Sequence, residues 1–511
     1  MTPMFPSAST RPVLRGAGAV FLSLFLIGMA SAEESDHIDQ PLPEIPADAE
    51  FTEFDDTVFL PDPEYADDAY DPDEQIEIYG GKEAIDAPRP WLELGTPLYR
   101  EGPLFEEYAF LGERNLVRPN LRVYGDLRTA VAYNDNGEGE VGLVAARLNL
   151  DIDLGITATE RLHAFFRPLD EDNKFTRYEF SGGDSIDGFS SEFSSAPETL
   201  FFEGDLGSIV TGLTGRYQSF DLPFAVGLVP LLFQNGIWVD DAFVGGAFAL
   251  PARNSPDLDI TNFDVTFFAG FDKVTSPAIR DSQGGLADKN VNIFGVTTFV
   301  EANEGYWEAG LGALVGEDEL KDLGYNSATV AFTRRYGGWL SNSVRGFWTF
   351  GQDPPAGVSQ TADGFALLVE NSLITNRPLT LVPYFNAFVG FDQPQPLARN
   401  TGLLKNTGIN FDTDNLTGFP SLDDTANNTF GGALGVEYLF NLDRQLVVEL
   451  AALRTFGDDA TRSAPGDQFA LGVRYQQPIS LDWIIQFDVM HGWRESADDI
   501  SGVRFEIRNK F

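Results

Sequence analysis

The sequence predicts an all-β protein, a transmembrane antiparallel up-and-down β-barrel of about 18 strands with 16 as the alternative count. Three observations carry that prediction. From Leu121 onward apolar and polar residues alternate with period two, and the polar face carries charge. Tight turns of a few residues alternate with long polar connections. The chain closes on an amphipathic run that ends in an aromatic residue, Phe511.

Composition sets the outer limits. The 511 residues carry 78 Asp and Glu against 34 Lys and Arg, a formal charge of −44. Nucleic acid is therefore excluded as a partner, because neutralising phosphate needs clustered Lys and Arg. The absence of Cys removes disulfides, thiolate metal sites and Cys nucleophiles. Three histidines, His37, His163 and His491, leave little for imidazole chemistry, and neither a metal nor a cofactor is expected. The 51 Gly and 43 Phe suit many strands and tight turns better than helices.

Residues 1–32 read as a cleaved signal peptide: Arg11 and Arg15 precede an apolar run from Gly16 to Met29, and Ala30-Ser31-Ala32 is a cleavage pattern. Residues 33–88 hold 20 Asp and Glu against the single Lys82, with recurrent Pro. Such a segment repels itself and is expected to be disordered. Residues 89–120 form a lead-in of unassigned structure, and 121–511 the barrel. No later stretch is long and apolar enough for a membrane helix, so export leads to the periplasm, the medium or the outer membrane, and the strand pattern selects the outer membrane.

In the first strand Leu121, Val123, Leu127 and Val131 share one face, and Arg122, Tyr124, Asp126 and Arg128 the other. The second sets Val144, Leu148, Leu150, Ile152 and Leu154 against Arg147, Asn149, Asp151 and Asp153. A soluble sandwich buries its apolar faces against one another. Runs of about 10 to 14 residues with apolar residues out and charges in suit a tilted strand crossing a bilayer around a wet lumen. Strands are expected at 161–167, 200–213 and 222–233 among the others, with Pro223 and Pro230 weakening the region 200–250. Short turns fall at 157–160, 301–305, 336–338, 375–378, 441–444 and 477–480, and long loops at 168–198, 273–289, 351–362, 391–428 and 457–466. Short turns on the periplasmic side and long loops outside are the habit of outer-membrane barrels.

The last residues, Val503-Arg504-Phe505-Glu506-Ile507-Arg508-Asn509-Lys510-Phe511, alternate apolar residues with four charges and end in Phe. This resembles the final strand of bacterial outer-membrane β-barrel proteins, in which the C-terminal aromatic is read by the barrel-assembly machinery; Phe511 is the expected signal. The strand number and layout across 120–511 are similar to the alginate-export-like porins. That resemblance implies a channel lined with basic residues for a polyanionic sugar.

The inward positions are read as Arg122, Arg128, Arg147, Arg161, Arg167, Arg345, Arg474, Arg504 and Arg508, accompanied by Asp126, Asp151, Asp153, Glu308, Glu370, Glu449, Asp482 and Asp488. Arginines facing acids would create a transverse field and select solutes, or pair across strands and keep the lumen polar. Charge reversal at Arg122, Arg128, Arg147 and Arg504 is expected to leave folding nearly intact. The expected function is a porin-like passage for polar solutes, anions and saccharides among them, with outer-membrane lipids and lipopolysaccharide around the barrel. The alternatives are an anchor or adhesin working through loops 168–198 and 391–428, and a barrel-wall hydrolase. For the last, His163 and His491 lack a nucleophile at partner spacing and no GxSxG element occurs, so no catalytic residue is expected.

Overall fold

The computed structural model describes residues 89–96 and 117–511, except 158, 172–173, 183–187, 282–283, 413–414, 441–442, 458–461 and 463. The expected signal peptide at 1–32 and the acidic segment 33–88 lie outside the described residues. Eighteen antiparallel strand positions form one closed barrel. In chain order they are β1 (Asn120–Asp135), β2 (Glu140–Gly155), β3 (Arg161–Phe166 and Lys174–Ser181), β4 (Pro197–Asp205), β5 (Pro223–Phe233) and β6 (Val239–Ser255). Then come β7 (Ile260–Asp272), β8 (Val291–Ala302), β9 (Gly305–Gly316), β10 (Tyr325–Tyr336), β11 (Leu340–Phe350) and β12 (Asp363–Leu373). The last six are β13 (Leu381–Gln393), β14 (Thr429–Phe440), β15 (Arg444–Thr455), β16 (Gln468–Pro478), β17 (Trp483–Arg494) and β18 (Ile500–Lys510).

Closure joins the first strand to the last. β1 pairs with β18 from Asp126 opposite Lys510 to Asp135 opposite Ser501. Below Asp126 the place of β18 is taken by a short strand, Leu92–Gly95, which pairs Leu92 with Val123 and Gly95 with Asn120. β1 therefore has partners on both sides along nearly its whole length. Phe511 exchanges backbone hydrogen bonds with Gly125 at 2.8 and 3.0 Å, and its ring meets Trp91 edge-on at 6.3 Å.

The pleat explains the two faces. Outward positions such as Val131, Leu311, Leu434, Leu450 and Val503 are large, apolar and exposed, as a lipid-facing belt requires. Aromatics mark its two rims, with Trp307, Trp339 and Trp483 at the end that carries the termini and Phe271, Trp348, Phe391 and Trp493 at the other. At the terminal end, the periplasmic one by this pattern, seven of the connections are two to seven residues long. The shortest is Asn303-Glu304, both at positive φ (60° and 58°), the two-residue hairpin whose twist matches its strands.

Two expectations between 168 and 213 are corrected. The run 200–213 is not one strand: β4 ends at Asp205 and a helix, α1 (Leu206–Thr214), follows. Asp205 caps it by accepting from the Ser208 N–H at 2.6 Å, and Gly215 ends it in the left-handed conformation at φ 65°. Residues 168–198 are not all loop, because Lys174–Ser181 returns to pair with β2 above the place where Arg161–Phe166 leaves it. Pro230 lies within β5, opposite Ala242 of β6, but past Leu228, the last β5 residue paired with β4. Its missing N–H thus falls where the strand has a single neighbour.

The 391–428 connection folds into the barrel rather than away from it. Leu397, Leu403, Leu404, Phe411, Phe419 and Leu422 are buried in one apolar cluster with wall residues Phe268, Ile293, Phe347 and Leu368 and with Trp238 and Ile279 from neighbouring loops. Glycines on the inner wall make the room. A Cβ at Gly310 would stand 2.5 Å from the Trp238 ring, at Gly312 2.3 Å from Leu397, and at Gly502 2.6 Å from Pro420.

Candidate functional site: the charged wall and the external basin

The charges gather on one side of the wall, along β15–β18 and β1–β3. Arg128 is buried and holds Glu506 through two parallel bonds of 2.8 and 2.7 Å, and Arg508 reaches the same carboxylate at 3.3 Å. Arg504 donates to Asp488 at 2.9 Å while Arg474 donates to the other Asp488 oxygen at 2.7 Å and to Asp412 of the inward loop at 3.4 Å. Across the barrel Arg345, also buried, spans Glu370 at 2.8 Å and Glu308 at 3.2 Å. Arg122 faces Glu93 of the short strand at 3.7 Å. Arg147 donates to Asn149 at 3.0 Å and lies over the Phe175 ring, and Asp126 accepts from that Asn149 at 3.0 Å.

Nearer the periplasmic end, Arg161 pairs with Asp153 and Glu203, and His163 stands 3.5 Å from both Asp151 and Asp153. Arg167 sits beyond the first half of β3 and pairs with Asp170 and Glu198. Asp482 is placed differently from the sequence reading: it is exposed in the 479–482 turn, where its carbonyl accepts from the Lys510 N–H at 2.7 Å, because β17 begins one residue later.

Glu449 ties the inward loop to the wall. Fully buried, its carboxylate accepts from the Ile409 N–H at 3.0 Å, the Asn410 N–H at 2.9 Å, Asn410 Nδ2 at 2.8 Å and the Tyr384 hydroxyl. Asn386 donates to the Thr407 carbonyl, Asn134 to that of Thr417, and the Asp423 N–H to Gln468 at 3.1 Å. With these contacts from β13, β15, β16 and β1 the loop crosses the lumen.

Outside this loop opens a basin of about 700 Å³. Among the described residues, four cations line it, Arg280, Lys405, Arg462 and Arg494, against one acid, Asp424. Their fixing differs from that of the wall arginines. Arg280 donates to the Gly284 carbonyl at 2.9 Å, Arg494 to the carbonyls of Asp498 and Asn136, and Arg462 to the Gly466 carbonyl at 3.2 Å. Carbonyls orient a guanidinium without cancelling its charge. Arg462 is buried, stands 3.9 Å from Asp423, and its Nη1 finds no hydrogen-bond acceptor among the described residues. Beneath it Arg399 is wholly buried; Nη2 meets the Lys405 carbonyl at 3.3 Å, and desolvation pushes the guanidinium pKa down. Burial and the neighbouring Asp423 raise Asp424 from 3.8 to about 6. In a chain of net charge −44, the described lining of this basin carries more cations than acids.

No protein-family model and no curated protein matches the chain. Solved structures do. OccK2 (OpdF) of Pseudomonas aeruginosa aligns over 76% of this chain and 97% of its own with a TM-score of 0.50 at 12% identity. The fold is that of an outer-membrane porin. OccK1 (OpdK) of the same organism aligns over 76% and 98%, with a TM-score of 0.49 at 13% identity. At such identity the likeness is one of architecture.

The basin was not visible in the sequence. Arg280, Lys405, Arg462 and Arg494 lie far apart in polar stretches without periodicity, and only the inward course of the loops brings them together. The one signal pointing to that course was the glycine content of strands such as β9, whose inner positions 310 and 312 are empty of side chain.

Proposed function

We propose that the protein is a solute channel of the outer membrane, without enzymatic activity, that admits small polar solutes and favours anions. The observation that carries the reading is the basin, where Arg280 and Arg494, held by backbone carbonyls, keep their charge for an incoming ligand. A focused positive mouth raises the local concentration of anions and discriminates against cations. The wall below supports passage of a small solute better than that of a polyanionic chain. Eight of the nine arginines read from the sequence already face carboxylates. The alginate-export-like reading asks instead for a continuous basic lining.

An adhesin is disfavoured because the longest loop, 394–428, is spent inside the barrel. A hydrolase finds no support in the two described histidines: His163 lies between two carboxylates, and His491 packs edge-on against Trp493 at 4.5 Å. Liposome swelling tests the proposal. Vesicles carrying the protein are expected to swell faster in an isotonic small carboxylate than in a neutral pentose of like size, and equal rates would contradict it.

A further inference from the structure

We infer that α1 is an interfacial helix, seated in the periplasmic leaflet of the outer membrane beside the barrel. Among the periplasmic connections, 206–222 is alone in exceeding seven residues. Its sequence from Leu206 to Phe220 contains a single charged residue, Arg216. In a chain so rich in acids, a stretch facing the periplasm would be expected to be polar and acidic. Instead Leu206 is 39% exposed, Leu213 63%, Tyr217 75% and Phe220 40%.

The helix is fixed firmly in this exposed position. One oxygen of Asp205 accepts from the Ser208 N–H at 2.6 Å and the other from the Leu222 N–H at 2.8 Å, so both ends of the connection are held by one carboxylate. Its place is on the outside of the wall. Gly204 shares the outward parity of Leu200, which is exposed in the belt, and a Cβ at Gly204 would stand 3.1 Å from the buried Glu160 side chain and 3.5 Å from Ile209 Cδ1. Above it the lipid-facing surface continues through Phe202, whose ring meets Phe224 at 5.9 Å, to the exposed Val226 and Phe248.

The exposed apolar residues of α1 and the turn after it, Leu206, Leu213, Tyr217 and Phe220, continue from the belt with the polar Thr214, Arg216, Ser219 and Asp221 exposed among them, and the occupant that fits such an amphipathic surface is the phospholipid that covers the belt itself. Leucines enter the acyl boundary, Tyr217 sits where an amphipathic ring is favoured, and Arg216 reaches anionic headgroups. Such a helix would hold the barrel at a set depth on the side where β3 is split in two and its pairings with β2 and β4 shift register.

The absence of Cys makes the test direct. Single variants Leu213→Cys, Tyr217→Cys, Val503→Cys and Glu304→Cys are each labelled with a nitroxide and reconstituted into vesicles of phosphatidylethanolamine and phosphatidylglycerol. Folding is verified by heat-modifiable gel mobility. Collision with oxygen and with a water-soluble nickel chelate is then read by power saturation. The oxygen-to-nickel ratio at Leu213→Cys is expected to match the belt position Val503→Cys and to exceed that of the turn position Glu304→Cys several-fold, with Tyr217→Cys between them. A nickel accessibility at Leu213→Cys equal to that at Glu304→Cys would overturn the proposal. So would low accessibility to both probes, which would mean that another protein surface covers the helix.

Discussion

Glu449 shows how much rests on one buried carboxylate. It gathers four donors from the inward loop and from Tyr384, and truncating it to Ala would leave the amides of Ile409 and Asn410 buried without an acceptor, at about 1–3 kcal/mol each. Glu449→Ala is expected to loosen the loop, seen as larger and noisier single-channel currents and faster proteolysis within 394–428, with the barrel still intact. The basin offers a second prediction, through pH. The folded state raises Asp424 to about 6, so it favours the protonated acid. Its contribution to stability is complete below the unfolded value near 4 and is lost as pH rises through about 6. Acidification across that window should seat the loop more firmly, read as slower proteolysis at pH 5 than at pH 7, and Asp424→Asn should remove the difference. Arg128 revises an expectation drawn from the sequence. Its place on the charged face was legible from alternation, but its bidentate grip on Glu506 was not, since 378 residues separate the two. Arg128→Glu would set two buried carboxylates against each other. It is predicted to cost about 3–5 kcal/mol rather than to leave folding intact, as the urea midpoint would report.

Among the elements, the strands were the legible part, because a membrane wall obliges side chains to alternate and the alternation is written residue by residue. Val503 and Arg504 illustrate it: Val503 is exposed to the belt and Arg504 is held on Asp488. Val503→Arg should therefore destabilise the barrel by about 2–4 kcal/mol if its position is near the bilayer midplane, measured in urea with refolding into vesicles. Helix α1 escaped the same reading. Leu206, Ile209, Val210 and Leu213 recur at helical spacing, but they follow directly on the alternating residues of β4, and a short apolar run after a strand reads as more strand. The inward course of loop 394–428 escaped it for a different reason. A polar, Gly-rich connection carries no period, and its destination depends on space at Gly312 and Gly502, on two distant strands.

Taken as a molecule, the barrel separates its charges by depth. Carboxylate-paired arginines stiffen the wall, an apolar core built from loops narrows the lumen, and carbonyl-held cations open at the outer face. The order predicts a narrow, anion-favouring conductance rather than the wide passage of an empty barrel of this strand number. Removing charge at the mouth should alter selectivity while leaving the fold in place, because Arg280 and Arg494 are not among the carboxylate-paired cations of the described residues and Lys405 lines the basin. The measurement that tests this most directly is the reversal potential in a planar bilayer under a potassium chloride gradient, for the native chain and for the triple variant Arg280→Ser, Lys405→Ser, Arg494→Ser. The native potential should have the sign of chloride preference, and the triple variant should move it toward zero or past it. A cation-selective native channel whose potential is unmoved by the three substitutions would contradict the account.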